Sequence, residues 1–126
     1  NKRPMSSMAP VIVFQGKRPI LAIGSPGGWL IPHYISGALV AALDLNLAPK
    51  DVVKRHHIAV RPNLILLERN AEWSKPRSTI RQDLKKLGHN IKDTSFSSGL
   101  ALIRWKEGVW EGAADPRREG KAVGLN

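Results

Sequence analysis

The sequence predicts a mixed α/β (α+β) fold, a layered piece of one domain, and three observations predict it. Short β-branched runs alternate with segments whose apolar residues recur at three- and four-residue steps. The predicted order is strand, strand, helix, helix, strand, helix, then strands, which suits a layered α/β arrangement. The length of 126 residues and a hydrophobic content of 42% suit one packed unit or part of a larger one, not a disordered chain.

Residues 9–14 (Ala-Pro-Val-Ile-Val-Phe) and Pro19 to Ile23 are apolar runs joined by Gln15-Gly16-Lys17, the pattern of a β-hairpin. Their continuous apolarity predicts strands buried on both faces. The second strand ends in a cluster of breakers, Gly24-Ser25-Pro26-Gly27-Gly28. A long helix is expected next, from Ile31, Tyr34, Ile35, Leu39, Ala42 and Leu43, with Pro32 in its first turn and Asp44 to Asn46 closing it. Pro49 opens a short helix running to about Arg55, with Asp51 favourable near its N-terminus. Leu64 to Glu68 reads as a strand. A third helix takes Ser74 as N-cap, Pro76 in the first turn, Ile80, Leu84 and Leu87 as a buried stripe, and Gly88 as the residue after the C-cap. Residues 91–96, 99–105 and 108–113 read as strands, and a Pro/Arg/Gly-rich tail begins at about residue 115.

Composition excludes some classes of function. Cysteine is absent, so disulfides and thiolate metal sites are ruled out. The net charge of +10 invites a nucleic-acid reading, but the basic residues are spread over nearly every segment (Lys2, Arg3, Lys17, Arg18, Lys54, Arg55, Lys85, Lys86, Arg117, Arg118) and form no tract. A solvated surface, or one that meets an acidic partner, accounts for that spread. No run approaches the ~18 apolar residues of a membrane span. The first residue is Asn1 rather than Met, and the expectation is that a segment has been removed upstream.

Two segments have the residue types that acyl chemistry needs. Gly24-Ser25-Pro26-Gly27-Gly28 lies between a strand and a helix, where paired glycines let the backbone approach a ligand and N–H groups at a helix start attract negative charge. An oxyanion hole made of two backbone N–H groups needs that geometry, although a plain strand-to-helix turn fits the same pattern. Arg3-Pro4-Met5-Ser6-Ser7-Met8 places two hydroxyl donors just before a strand. His56-His57 is read as structural, because neighbouring side chains diverge and no third ligand stands nearby. His33 is expected at the surface. Trp105 and Trp110 flank a turn and are expected to close a sheet edge, and Asp115-Pro116-Arg117-Arg118 is a candidate ion pair for docking the tail.

Taken together, Lys2 to Met8, a hairpin, Gly24 to Gly28 and a long helix resemble the small subunit of γ-glutamyltransferases. Asp93-Thr94 with Ser98-Gly99-Leu100 looks like that family's Ser-Gly-Leu strand, and Trp110 to Arg118 looks like its C-terminal signature. The resemblance covers essentially the whole chain. It implies that residues 1–126 form part of an N-terminal-nucleophile hydrolase, a four-layer αββα sandwich. It also implies γ-glutamyl transfer or hydrolysis by a threonine exposed through self-cleavage, with no metal or organic cofactor. Carried over, the backbone N–H groups of Gly27 and Gly28 form the oxyanion hole, and Ser6 and Ser7 bind the α-carboxylate end of the γ-glutamyl group. The implied partners are a γ-glutamyl small molecule, the large subunit and the N-terminal part of the small subunit, with no nucleic acid. The implied location is periplasmic or extracellular. The nucleophile itself is expected outside this chain, since Asn1, Thr79 and Thr94 do not match its motif. Where the family has Ser-Arg after the glycine pair, Trp29-Leu30 stand here and put an apolar pair beside the pocket. A cephalosporin-acylase-like amidase is therefore the alternative within the superfamily. An inactive fragment and a basic nucleic-acid-binding module are the alternatives outside it.

Overall fold

The structure, a computed structural model, describes residues 2–69 and 77–124. The expected N-cap Ser74, with Trp73 and Pro76, lies outside the described residues. The chain divides into two compact units, residues 1–54 with 97–126, and residues 55–96.

The first unit is a four-stranded antiparallel sheet with helices. Strands β1 (Val11–Gln15) and β2 (Arg18–Gly24) form the expected hairpin, and Gly16 adopts φ 61 at its first turn position, where a side chain would be strained. The 3-10 turn Gly28–Leu30 leads into α1 (Ile31–Leu43), with Pro32 in the first turn, where no intrahelical N–H is needed. Helix α2 (Pro49–Val52) is a single turn that ends short of the expected Arg55. Strands β6 (Ala101–Lys106) and β7 (Val109–Ala114) complete the sheet in the order β1-β2-β6-β7.

The core of this unit is made by Leu21, Ile23, Leu100 and Leu102 together with Ile31, Tyr34, Ile35, Ala38, Ala41 and Ala42 of α1. Arg104 fastens the loop that follows α1, donating to the Asn46 side chain at 2.6 Å and to the Leu47 carbonyl at 3.1 Å.

The expectation that β1 and β2 are buried on both faces is overturned. Ile12 and Phe14 are 61% and 58% exposed, and Ile103 on β6 is 47% exposed. Ile12, Ala22, Ile103 and Gly112 stand directly opposite one another across the four strands, so they share one face. Burial alternates along β2, with Leu21 and Ile23 inside, because the described residues leave the opposite face of the sheet largely open.

The second unit contains a three-stranded sheet in the order β3-β4-β5. Strand β4 (Leu64–Glu68) has the expected bounds. Strand β3 (Ile58–Arg61) was not expected; it pairs with β4 through Pro62-Asn63, with Asn63 at φ 57. Pro followed by a residue of positive φ is the arrangement of a type II turn. Strand β5 (Ile91–Thr94) runs parallel to β4 after helix α3 (Arg77–Lys86). Of the expected stripe on α3, Ile80 and Leu84 are half-buried but Leu87 is 73% exposed, because the helix has already ended at Lys86. Gly88, at φ 84, does follow the C-cap: its N–H donates to Lys85 and that of His89 to Leu84, the two bonds of a Schellman motif.

Candidate active site

The two segments singled out in the sequence meet in the first unit. The Ser7 N–H donates to the Gly28 carbonyl at 3.1 Å, which ties the exposed Ser6-Ser7 loop to the glycine turn. The turn itself is held by the Leu30 N–H, which donates to the Gly27 carbonyl at 3.3 Å. These bonds use the carbonyls of both glycines, so the N–H groups are the donors the turn has to offer a ligand.

Gly27 has φ 136 and ψ 14, a conformation that L side chains rarely adopt. A Cβ there would also lie 2.5 Å from Cε2 of the buried Tyr34. Gly28 has φ 65 with open space around its Cα. The turn therefore depends on glycine at the first position for both backbone and space, and at the second for backbone alone.

Behind the turn lies a network that sequence reasoning did not assemble. Asp115 is 2% exposed. Its Oδ2 accepts from the Ser98 hydroxyl at 2.5 Å and the Leu100 N–H at 3.4 Å; its Oδ1 accepts from the Arg117 N–H at 2.9 Å and the Arg117 guanidinium at 3.1 Å. The same guanidinium donates to the Val53 carbonyl at 3.1 Å, and Arg118 Nε donates to the Ser97 carbonyl at 3.0 Å. The tail is thus docked by an ion pair on a buried carboxylate, as the Asp115-Pro116-Arg117-Arg118 segment predicts. From Ser98 the chain passes to Gly99, whose N–H donates to the Ser25 hydroxyl at 3.2 Å, one residue before Pro26. A Cβ on Gly99 would lie 2.9 Å from both Pro26 Cγ and Arg118 Cδ. The signal for this network was present as Ser98-Gly99-Leu100 and Asp115-Pro116-Arg117, but sequence alone does not say that the two segments touch.

Trp29 is half-buried, and its ring meets His33 edge-on at 5.9 Å, so His33 is half-buried against an aromatic ring rather than solvated. Trp105 and Trp110 pair across β6 and β7 with ring centroids 5.5 Å apart, and the Arg18 guanidinium lies 5.2 Å from the Trp105 ring. In the second unit His57 is buried, with its ring 5.8 Å from that of Phe96 and its backbone N–H donating to the buried Glu68 carboxylate at 2.8 Å. Among the described residues no group of three or more His, Asp or Glu side chains is placed to hold a metal ion, and no helix is long and apolar enough to cross a membrane.

The geometry can be set beside known proteins. The sequence profile of the gamma-glutamyltranspeptidase family matches residues 1–125. The chain is 29% identical to a glutathione hydrolase proenzyme of Bacillus subtilis over all of its own length and 21% of that protein's. It is 30% identical to a glutathione hydrolase proenzyme of Pseudomonas aeruginosa, over 98% of this chain and 22% of the relative. The chain thus spans about a fifth of the length of these relatives. The gamma-glutamyltranspeptidase of Pseudomonas nitroreducens, solved in complex with L-DON, superposes with a TM-score of 0.84 at 26% identity, over 99% of this chain and 65% of that one. The expected fold class holds: an α+β part of an N-terminal-nucleophile hydrolase. On the match of the family profile along nearly its whole length, this chain belongs to the gamma-glutamyltranspeptidase family.

Proposed function

We propose that the chain supplies the oxyanion hole and the substrate-carboxylate contacts of an enzyme that cleaves γ-glutamyl amides such as glutathione, transferring the acyl group to water or an amino acid. The single observation that carries this reading is the hydrogen bond from the Ser7 N–H to the Gly28 carbonyl, which joins the hydroxyl pair to the glycine turn. A threonine outside this chain attacks the γ-glutamyl carbonyl, forming a C–O bond while the carbonyl oxygen takes the negative charge. The Gly27 and Gly28 N–H groups stabilise that charge. Preorganised donors act most strongly where the charge develops in the transition state, and losing one costs about 3–4 kcal/mol. The C–N bond then breaks, the amine leaves with the proton that the threonine hydroxyl gave up, and water or an amine resolves the ester, returning a proton to the threonine oxygen. Ser6 and Ser7 hold the α-carboxylate with neutral donors, so recognition adds no charge beside the reacting atoms.

The exposed Ile12 and Ile103, with the half-buried Ala22 between them, support a role for the rest of the precursor, the large subunit and the N-terminal part of the small subunit, as cover for the open face of the sheet. Export to the periplasm or the extracellular space belongs to the same reading.

Full-length precursor and isolated chain are compared on a γ-glutamyl anilide. Turnover is expected from the precursor alone. Turnover by the isolated chain would place the nucleophile within it, and an inert, correctly cleaved precursor would end the γ-glutamyl reading. In the active protein, Ser6→Ala and Ser7→Ala are each expected to raise KM about tenfold or more with little change in kcat, as for a lost hydrogen bond to a charged group. Trp29 favours a second reading, a cephalosporin-acylase-like amidase, because it lies apolar and half-buried immediately after the glycine pair. Faster cleavage of an apolar acyl amide than of the γ-glutamyl anilide would select it.

A further inference from the structure

The planes of the peptide bonds decide where the two glycine N–H groups point. A trans peptide holds its C=O and N–H in one rigid plane, pointing in opposite directions, and among the described residues no peptide bond is cis. The Gly28 N–H therefore shares a plane with the Gly27 carbonyl, which the Leu30 N–H holds at 3.3 Å. The Gly27 N–H shares a plane with the Pro26 carbonyl, and that carbonyl accepts from the Ser25 hydroxyl at 2.7 Å. Ser25 is held in turn, since its oxygen accepts from the Gly99 N–H at 3.2 Å. Gly99 is confined between Pro26 and Arg118, and the preceding Ser98 is anchored on the buried Asp115 carboxylate.

We propose that Ser25 is a positioning residue for the reaction: its hydroxyl orients the Pro26–Gly27 peptide so that the Gly27 N–H faces the developing oxyanion. The Gly99 N–H and the Ser98–Asp115 pair hold Ser25 in place to do this. The inference rests on the assignment of Gly27 and Gly28 to the oxyanion hole. Ser25 touches no reacting atom. Its hydrogen bond also polarises the peptide, since a carbonyl that accepts makes its own N–H a better donor.

The test uses the full-length protein with Ser25→Ala and Ser25→Thr. Ser25→Ala is expected to lower kcat about tenfold or more while leaving the KM for the γ-glutamyl donor within about twofold, because misplacing an oxyanion donor weakens the transition state alone. Ser25→Thr keeps the hydroxyl and is expected to restore most of kcat. A merely structural role predicts parallel losses in stability and in both kinetic constants, and that pattern, or a wild-type kcat in Ser25→Ala, overturns the proposal. Crystal structures of wild type and Ser25→Ala provide a readout independent of turnover. An unrotated Pro26–Gly27 peptide in the variant overturns the proposal even if the protein proves inert. A rotated peptide in a protein whose wild type never cleaves γ-glutamyl amides keeps the positioning claim and removes the oxyanion reading beneath it.

Discussion

Gly27 and Gly28 are adjacent, yet they are glycine for different reasons, and substitution separates them. Gly27→Ala must place a Cβ into Tyr34 and hold a backbone that alanine resists. Strain and overpacking together are expected to cost about 3 kcal/mol in the denaturant unfolding of the full-length protein. Gly28→Ala meets no atom and carries only the left-handed backbone penalty, about 1–2 kcal/mol. Equal losses at the two positions would contradict the crowding by Tyr34. Asp115 is the other residue on which much rests. Asp115→Ala strips acceptors from Ser98, Leu100 and Arg117 in a dry site, so a loss of about 3–5 kcal/mol is expected in the same unfolding measurement. The Lys86–Asp83 pair on α3 has side chains 77% and 60% exposed, and Lys86→Ala is expected to change stability by less than about 0.5 kcal/mol.

At the scale of elements, turns show most plainly how local chemistry and fold agree. The β6–β7 hairpin closes through Glu107 at φ 52 and Gly108 at φ 90, and positive φ at both central positions is the type I′ arrangement. Glycine suits its place, but glutamate is poorly suited to positive φ. Glu107→Asn is therefore expected to stabilise the protein by about 0.5–1 kcal/mol, read as a raised thermal midpoint. No change would mean that the cross-strand pair Trp105–Trp110 already determines the turn. Strand β3 was illegible for a related reason. Ile58-Ala59-Val60 is short, and the histidine pair before it reads equally well as the end of the preceding helix; what makes it a strand is the ladder to Leu64–Glu68. Leu87 was misplaced because its spacing continues the apolar stripe of α3 one step beyond the point where Gly88 ends the helix.

For the whole molecule, the open face of the first unit's sheet carries the main consequence. The exposed apolar side chains Ile12 and Ile103 on that face make a surface that water disfavours, and β1 and β7 also end the sheet as edges. The isolated chain is expected to self-associate as its concentration rises in size-exclusion chromatography. A monomer with cooperative unfolding would count against dependence on the rest of the precursor. The continuous apolarity of β1 and β2 predicts burial on both sides, whereas the described residues bury one.

The sequence by itself determined the elements whose signals are local, namely the first hairpin, α1 with its proline start, β4 and the Gly88 stop. It also determined the family, because motifs spaced along the chain keep their order whatever lies between them. Tertiary structure alone decided which of those motifs touch. Ser25 is 74 positions from the Gly99 N–H that it receives, and Asp115 is 17 from the Ser98 hydroxyl that it accepts. Contacts at such separations leave no periodicity to read, since what makes them is the folding of the sheet and the exclusion of water around one carboxylate.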